Sequence, residues 1–467
     1  MNGPALPLHA VGDPAVDGVT KRRVPVVPLG LALVSAAVSL YAATLPNVVG
    51  AFPSLLFVAL PFVAHAIAVS SRRFHGGPGY WLILAFGVVN LTINPVLGAV
   101  LSMNLKGFDS VPTASAMTTT SVLQAVVFTA GLVGYYSLSA PSPRLSRSRP
   151  RLALGVVLLG LGFVGSWLRI DSLGGVSAYL SGQSVFDGGE PGDAGWLGLA
   201  TTVLPCFWVA GWMVVWDCRP ALFVGLRRWL LILVAILPMF LYSFNRAAVV
   251  VTLASMVLAA TAAPEKPIRR VTIMCAGALL AIGTWIWGEW RNGFWATAGG
   301  RRIIMQTDLI APDRSVWDVW QVYTASLPRA ASALEIMVTR DATLLNSFLG
   351  AIPGLGRSWR PGSGPLVYNE ALYGSGGAVD QILPAFVEAH ASLPWVAPIL
   401  LFLVVGVLLR RFEPTPLSSV AQSYFGWYFC IWISAIYVFS VSVVMQIVVF
   451  FLWPALFYWA WRRVVDR

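Results

Sequence analysis

Along most of the chain, apolar runs long enough to form membrane helices alternate with short polar punctuation. A helix needs about 20 apolar residues to cross a hydrocarbon core of about 30 Å. Such runs lie near 25–44, 50–70, 80–102, 117–139, 152–168, 196–216, 229–243, 247–263, 271–288, 394–409, 418–438 and 443–461. The pattern predicts an all-α, polytopic integral membrane protein with about 12 transmembrane helices. It breaks once, between 289 and 393, where eight Arg and nine acids replace the apolar run. The expected organisation is therefore a tail over 1–24, helices 1–9 over 25–288 with a polar loop at 169–195, a large loop over 289–393, and helices 10–12 with a basic end over 394–467.

Composition agrees with that pattern. The 467 residues are 57% hydrophobic and only 11% charged, with a mean hydropathy of +0.74, against about 25% charged residues in a soluble domain. The apolar run after Lys21-Arg22-Arg23 is longer than the core of a cleaved signal peptide and is read as a retained helix. The four cysteines lie in or beside apolar runs without metal spacing and read as small buried hydrophobes.

Charge then gives direction. If the loops are numbered alternately, one set holds 20 of the 31 basic residues and 6 of the 20 acids, a net +14, and the other a net −3. The positive-inside rule puts the first set, and both termini, in the cytoplasm. The net charge of +11 thereby reports orientation and contact with anionic lipid, not a nucleic-acid partner. Loops 169–195 and 289–393 face outward. No Gly-rich phosphate loop with a following Lys-Ser/Thr occurs, which argues against ATP-driven work.

Polar groups at membrane depth are candidate functional groups. Runs 229–243 and 247–263 are short, so Arg246, beside Asn245 at the tip of Tyr242-Ser-Phe-Asn-Arg-Ala, is expected below the outer headgroups. Arg291 emerges at the same level through Trp285-Ile-Trp-Gly-Glu289-Trp-Arg291. In the third run, Asn90 and Asn94 share a helix face ahead of a kink at Pro95; with Gln124 and Gln446 they read as partners for hydrogen bonds between helices.

Three stretches together resemble the bacterial oligosaccharide repeat-unit polymerases of the O-antigen type. They are Ser243-Phe-Asn-Arg246-Ala, Asp171-Ser-Leu-Gly174-Gly175-Val-Ser-Ala-Tyr179-Leu, and Gly374-Ser-Gly-Gly377-Ala-Val-Asp-Gln-Ile-Leu-Pro-Ala-Phe-Val-Glu388-Ala followed by a run ending Arg410-Arg411. The layout of the related O-antigen ligases is similar, and these use an outer-loop His with Arg residues; His390 keeps both open. The resemblance implies a fold like the multi-helix lipid-dependent glycosyltransferases. It also implies glycosyl transfer on the outer face of a bacterial plasma membrane, from a polyprenyl-diphosphate-linked oligosaccharide to a sugar hydroxyl. A chain-length regulator or a flippase would be a natural partner.

The residues suit that chemistry. Guanidinium groups bind phosphate in bidentate fashion, which makes Arg246 and Arg291 candidates for the diphosphate. Arg357 and Arg360, in Gly/Pro-rich chain beside Trp359, and Arg169 are further sugar or phosphate candidates. An acceptor hydroxyl needs a proton acceptor, and Glu388, His390 and Asp380 are the candidates. If 378–393 is one helix, Asp380 and Glu388 lie within about 80° of each other while His390 points away. Gly374–Gly377 is placed to cradle a phosphate at that helix's N-terminus, but a plain turn is the favoured reading, Gly turns being common. No metal cluster and no cofactor motif are evident. The rival class is a flippase or transporter for a lipid-linked substrate, for which internal repeats are expected and none is seen.

Overall fold

A computed structural model describes residues 77–94, 112–138, 150–172, 174–175, 200–201, 203–242, 246–261, 324–338, 344–352, 358–373, 382–414 and 418–464. The described part is helical throughout, with no strand among the described residues. The expected spans near 25–44, 50–70 and 271–288 lie outside it.

The long elements are α1 (Pro78–Val88, continued by a π turn over Val89–Ile93), α2 (Ala114–Ser137), α3 (Leu152–Ser172), α4 (Cys206–Cys218), α5 (Leu226–Tyr242), α6 (Arg246–Ala260), α11 (Val396–Phe412), α12 (Val420–Ser434) and α13 (Val441–Val464). Among the described residues between α6 and α11 are four short helices: α7 (Leu327–Val338), α8 (Leu344–Gly350), α9 (Gly364–Tyr373) and α10 (Ala385–Ser392). Among the described residues three helices, α2, α3 and α13, are long and apolar enough to cross a membrane. Val156, Phe163, Val164 and Trp167 on α3, Leu230 and Leu233 on α5, and Leu400 and Val404 on α11 stand exposed. Side chains of this kind suit lipid, not water.

Helix α12 is the core element, touching α1, α4, α6, α11 and α13. Tyr424, Tyr428, Cys430 and Trp432 along it are fully buried. Its start is capped twice. Ser419 and Gln422 form a capping box, and Asp217 at the end of α4 accepts the Val420 and Ala421 N–H groups at 2.7 and 3.0 Å. That carboxylate satisfies two donors that a helix leaves open and suits the positive end of its dipole. Against α11, α2 packs through small residues. A side chain at Gly406 would run into the Gly131 carbonyl, and one at Gly134 into the Leu403 carbonyl, the close approach typical of membrane helices.

Helix ends meet in two groups. At one end, Tyr135 of α2 donates its hydroxyl to Glu413 at 2.7 Å and accepts from Arg410 at 2.8 Å and from the Gly77 N–H at 3.0 Å. Arg410 also pairs directly with Glu413, so the starts of α1 and the ends of α2 and α11 are tied together. Cys218 bonds Pro150 O at this end as well. At the other end, Asn94 meets Thr324, Thr113 N meets Glu335, and Ala385 N meets Phe439 O. There α7–α10 form a cap over α2, α11 and α13.

Several expectations change. Arg410 is buried against Glu413, so it does more than mark topology. The sixth run is not one regular helix to its start: a turn at Leu204-Pro205 precedes α4, because proline has no N–H to continue the ladder. Asn94 bonds Asn90 within its own helix at 3.1 Å as well as Thr324 at 3.2 Å, and Gln124 bonds Ala325 O at 3.1 Å. The amides therefore hold the segment that leads into α7. Pro95 lies outside the described residues, and so does the Gln446 side chain.

Candidate functional site

The helix expected over 378–393 begins only at Ala385. Residues 382–384 are not helical, and Pro384 enters as an extended N-cap with ψ 137°. Proline disfavours a helical residue before it, so the helix cannot extend back to 380. The shared face argued for Asp380 and Glu388 therefore does not exist as a helix face, and Asp380 itself lies outside the described residues. Gly374–Gly377 also lies outside the described residues.

Glu388 sits one turn into α10 and is 1% exposed. Three donors converge on its carboxylate. The Ser347 hydroxyl of α8 donates to Oε1. The Gly364 N–H at the head of α9 reaches Oε1 at 3.2 Å and the Ser347 Oγ at 3.0 Å. The Val441 N–H at the head of α13 donates to Oε2 at 3.2 Å. Each comes from a different helix, and two are free N–H groups of a first turn, which need an acceptor. A side chain at position 364 would run into the Glu388 carboxylate, which would then have to shift. Burial pushes the Glu388 carboxyl up to about 7, against the opposing pull of Ser347, Val441 and Gly364. A carboxyl titrating near neutrality in this setting has the proton affinity a general base needs.

Around it, α8 makes further polar links. Leu344 N donates to Ser392 Oγ at 2.7 Å, and Asn346 Nδ2 donates to Gly362 O at 3.2 Å. Ser392 in turn bonds Glu388 O at 3.0 Å. Trp359, just before the 3-10 turn Arg360–Gly362, is 43% exposed.

His390, two residues on, has different company. It is buried, its Nδ1 accepts from Trp395 N at 3.4 Å, and its ring meets Trp395 edge-on at 4.9 Å. Burial lowers its proton affinity. Glu388 and His390 therefore occupy separate environments, as two residues spaced by two on a helix must.

The other expected site residues divide as follows. Arg169 belongs to the last turn of α3, which runs on to Ser172; a cation there suits the negative end of the helix dipole. The Asp171–Gly175 motif that follows stops the helix: Gly174 N bonds Asp171 O at 2.9 Å, and both glycines have φ of +87°, a conformation that costs other residues strain. Arg246 opens α6 as its first residue, and Arg360 opens the 3-10 turn. Asn245, Arg291 and Arg357 lie outside the described residues.

The structure adds Ser347, Gly364 and Val441, none of which the sequence marks. A serine in Leu-Leu-Asn-Ser-Phe and a valine opening an apolar run carry no signal of their own. Among the described residues no three His, Cys, Asp or Glu side chains gather as a metal site would require. Compared with known protein families, with curated proteins and with solved structures, the chain matches none.

Proposed function

We propose that this protein is a membrane glycosyltransferase that joins polyprenyl-diphosphate-linked oligosaccharide units into a polysaccharide on the outer face of a bacterial plasma membrane. The observation that carries the reading is Glu388: a buried carboxylate, titrating near 7, whose closest partner is a hydroxyl. In the transfer, the acceptor hydroxyl oxygen bonds to the donor's anomeric carbon while the bond from that carbon to the diphosphate breaks. The electron pair leaves with the diphosphate, and the hydroxyl proton passes to Glu388. Arg246 and Arg291 hold the diphosphate and offset the charge that builds on it. Arg357, Arg360 and Trp359 line the glycan, and His390 is a structural neighbour.

The twelve-helix topology belongs to this proposal. It puts both termini in the cytoplasm and the cap outside. The grouping of helix ends is what such alternation requires: Gly77, Tyr135 and Arg410 meet at one end, Glu388 and Val441 at the other.

The test is purified protein in lipid with a polyprenyl-diphosphate oligosaccharide, read as a ladder of longer glycans. A ladder lost on Glu388→Gln and on Arg246→Ala is the expected result. One-step transfer to a different acceptor would make it a ligase. Movement of the substrate across the bilayer without a new glycosidic bond, or a ladder unaffected by both substitutions, would overturn the assignment.

A further inference from the structure

The transferase reading leaves a puzzle at its centre: a base with 1% exposure cannot reach an external substrate. The geometry around Glu388 resolves it. A hydroxyl is one donor and an acceptor, and the site offers the complement of one hydroxyl, the Oε1 acceptor and the Gly364 N–H donor. Ser347 Oγ uses both, donating to Oε1 and accepting from Gly364 N at 3.0 Å. Resting on the transferase reading, we infer that Ser347 fills the slot that an acceptor sugar hydroxyl takes beside Glu388. The described state is then the closed one, and α8 withdraws when the acceptor enters.

Three features fit an exchange of hydroxyls. The carboxylate keeps partners without Ser347, because Val441 N holds Oε2 and Gly364 N lies 3.2 Å from Oε1 itself. The slot has no side chain on its α9 side, since Gly364 presents only backbone there. And α8 is a short, seven-residue helix, which Leu344 links to Ser392 and Asn346 links to Gly362. The second tie leads to the turn beside exposed Trp359, where a sugar ring can lie flat on the indole face. The ligand class is therefore a sugar presenting one free hydroxyl to Glu388, with its ring against Trp359.

Acceptor kinetics of Ser347→Ala and Ser347→Thr test this. Removing the internal competitor should lower the acceptor KM by about tenfold, the worth of one hydrogen bond, whereas Ser347→Thr, which keeps the hydroxyl, should not. A second readout needs no turnover: the infrared band of the Glu388 carboxylate, assigned by difference against Glu388→Gln. Adding a soluble glycoside should move that band in Ser347→Ala and leave it in place in the wild type. If Ser347→Ala is not recovered folded, Ser347→Cys, a weaker donor of similar size, is read in the same way. An acceptor KM that is unchanged or raised, with the acid limb of the pH profile displaced, would mean that Ser347 only positions Glu388, and the slot would be abandoned. If the wild type builds no ladder, a band shift in Ser347→Ala keeps the slot and removes the transferase reading; no shift in either protein removes the slot.

Discussion

Glu388→Gln separates the cost of burying a charge from the worth of the bonds that hold it. A carboxyl that titrates at about 7 in the folded chain and at 4.5 when free binds its proton more tightly in the folded state. Its contribution to stability is then full below about 4.5 and is lost as pH rises to about 7, a difference of about 3 kcal/mol. The group is buried on every side, so solvent screening takes little from that figure. Glutamine carries no charge and should flatten this part of the pH dependence. It also brings an NH₂ group where only donors point inward from Ser347, Gly364 and Val441; one of them loses its acceptor, at about 1–3 kcal/mol. The variant should thus be less stable than the wild type at pH 5 and draw level or ahead by pH 8. Thermal unfolding in lipid nanodiscs, followed by tryptophan fluorescence from pH 4.5 to 8, reads the crossing. For a chain this long each kcal/mol moves the midpoint by on the order of 1 °C, so the two curves should converge by about 3 °C. Parallel curves across that window would refute the reasoning, because subtraction cancels every other titrating group.

Transfer activity should run opposite to stability, rising with pH through about 7 as Glu388 becomes able to take a proton, and falling by about 10²- to 10⁴-fold in Glu388→Gln; glycan ladders at fixed substrate across pH 5.5–8.5 check both. Gly364→Ala should displace the carboxylate it abuts and cost about 1–3 kcal/mol, seen as a lower unfolding midpoint together with lost activity. Arg410→Ala should strand the buried Glu413 at about 3 kcal/mol or more, while Arg410→Met with Glu413→Leu recovers much of the loss; unfolding midpoints of the single and double variants decide. Tyr135→Phe removes the acceptor of Gly77 N and Arg410, and its midpoint should fall by about 1–3 kcal/mol equivalent.

Hydropathy carries the long helices well because burial in lipid depends on composition over a whole run. The described helices α2, α3, α5, α6, α11, α12 and α13 fall where apolar runs were expected. Within the cap, composition says less. Its four helices are short, and Pro384 decides where α10 starts by backbone chemistry that a count of apolar residues misses. Glu388 is legible as one of three candidates, with His390 and Asp380, because an acceptor hydroxyl needs a proton acceptor and few polar groups stand in that apolar segment. Its partners are not legible: Ser347, Gly364 and Val441 are separated from it by 41, 24 and 53 residues, and two of them act through backbone N–H groups that every residue but proline possesses. Arg410 shows the converse. Its place in an Arg-Arg pair after an apolar run suggested a headgroup contact, and only the tertiary approach of Tyr135 and Glu413 gives it a second role.

The Asp217 cap on α12 has a consequence in time. The two partners lie 203 residues apart, so at about 5–20 residues per second a ribosome takes on the order of 10–40 s to deliver Val420 after Asp217. Through that interval the carboxylate is without the helix it will serve, and water or nascent chain must solvate it. When α12 does arrive, its first N–H groups find an acceptor already waiting on α4. The early helices thereby act as a docking template for the late ones, and a deeply buried helix at the centre of the described chain is among the last to be made.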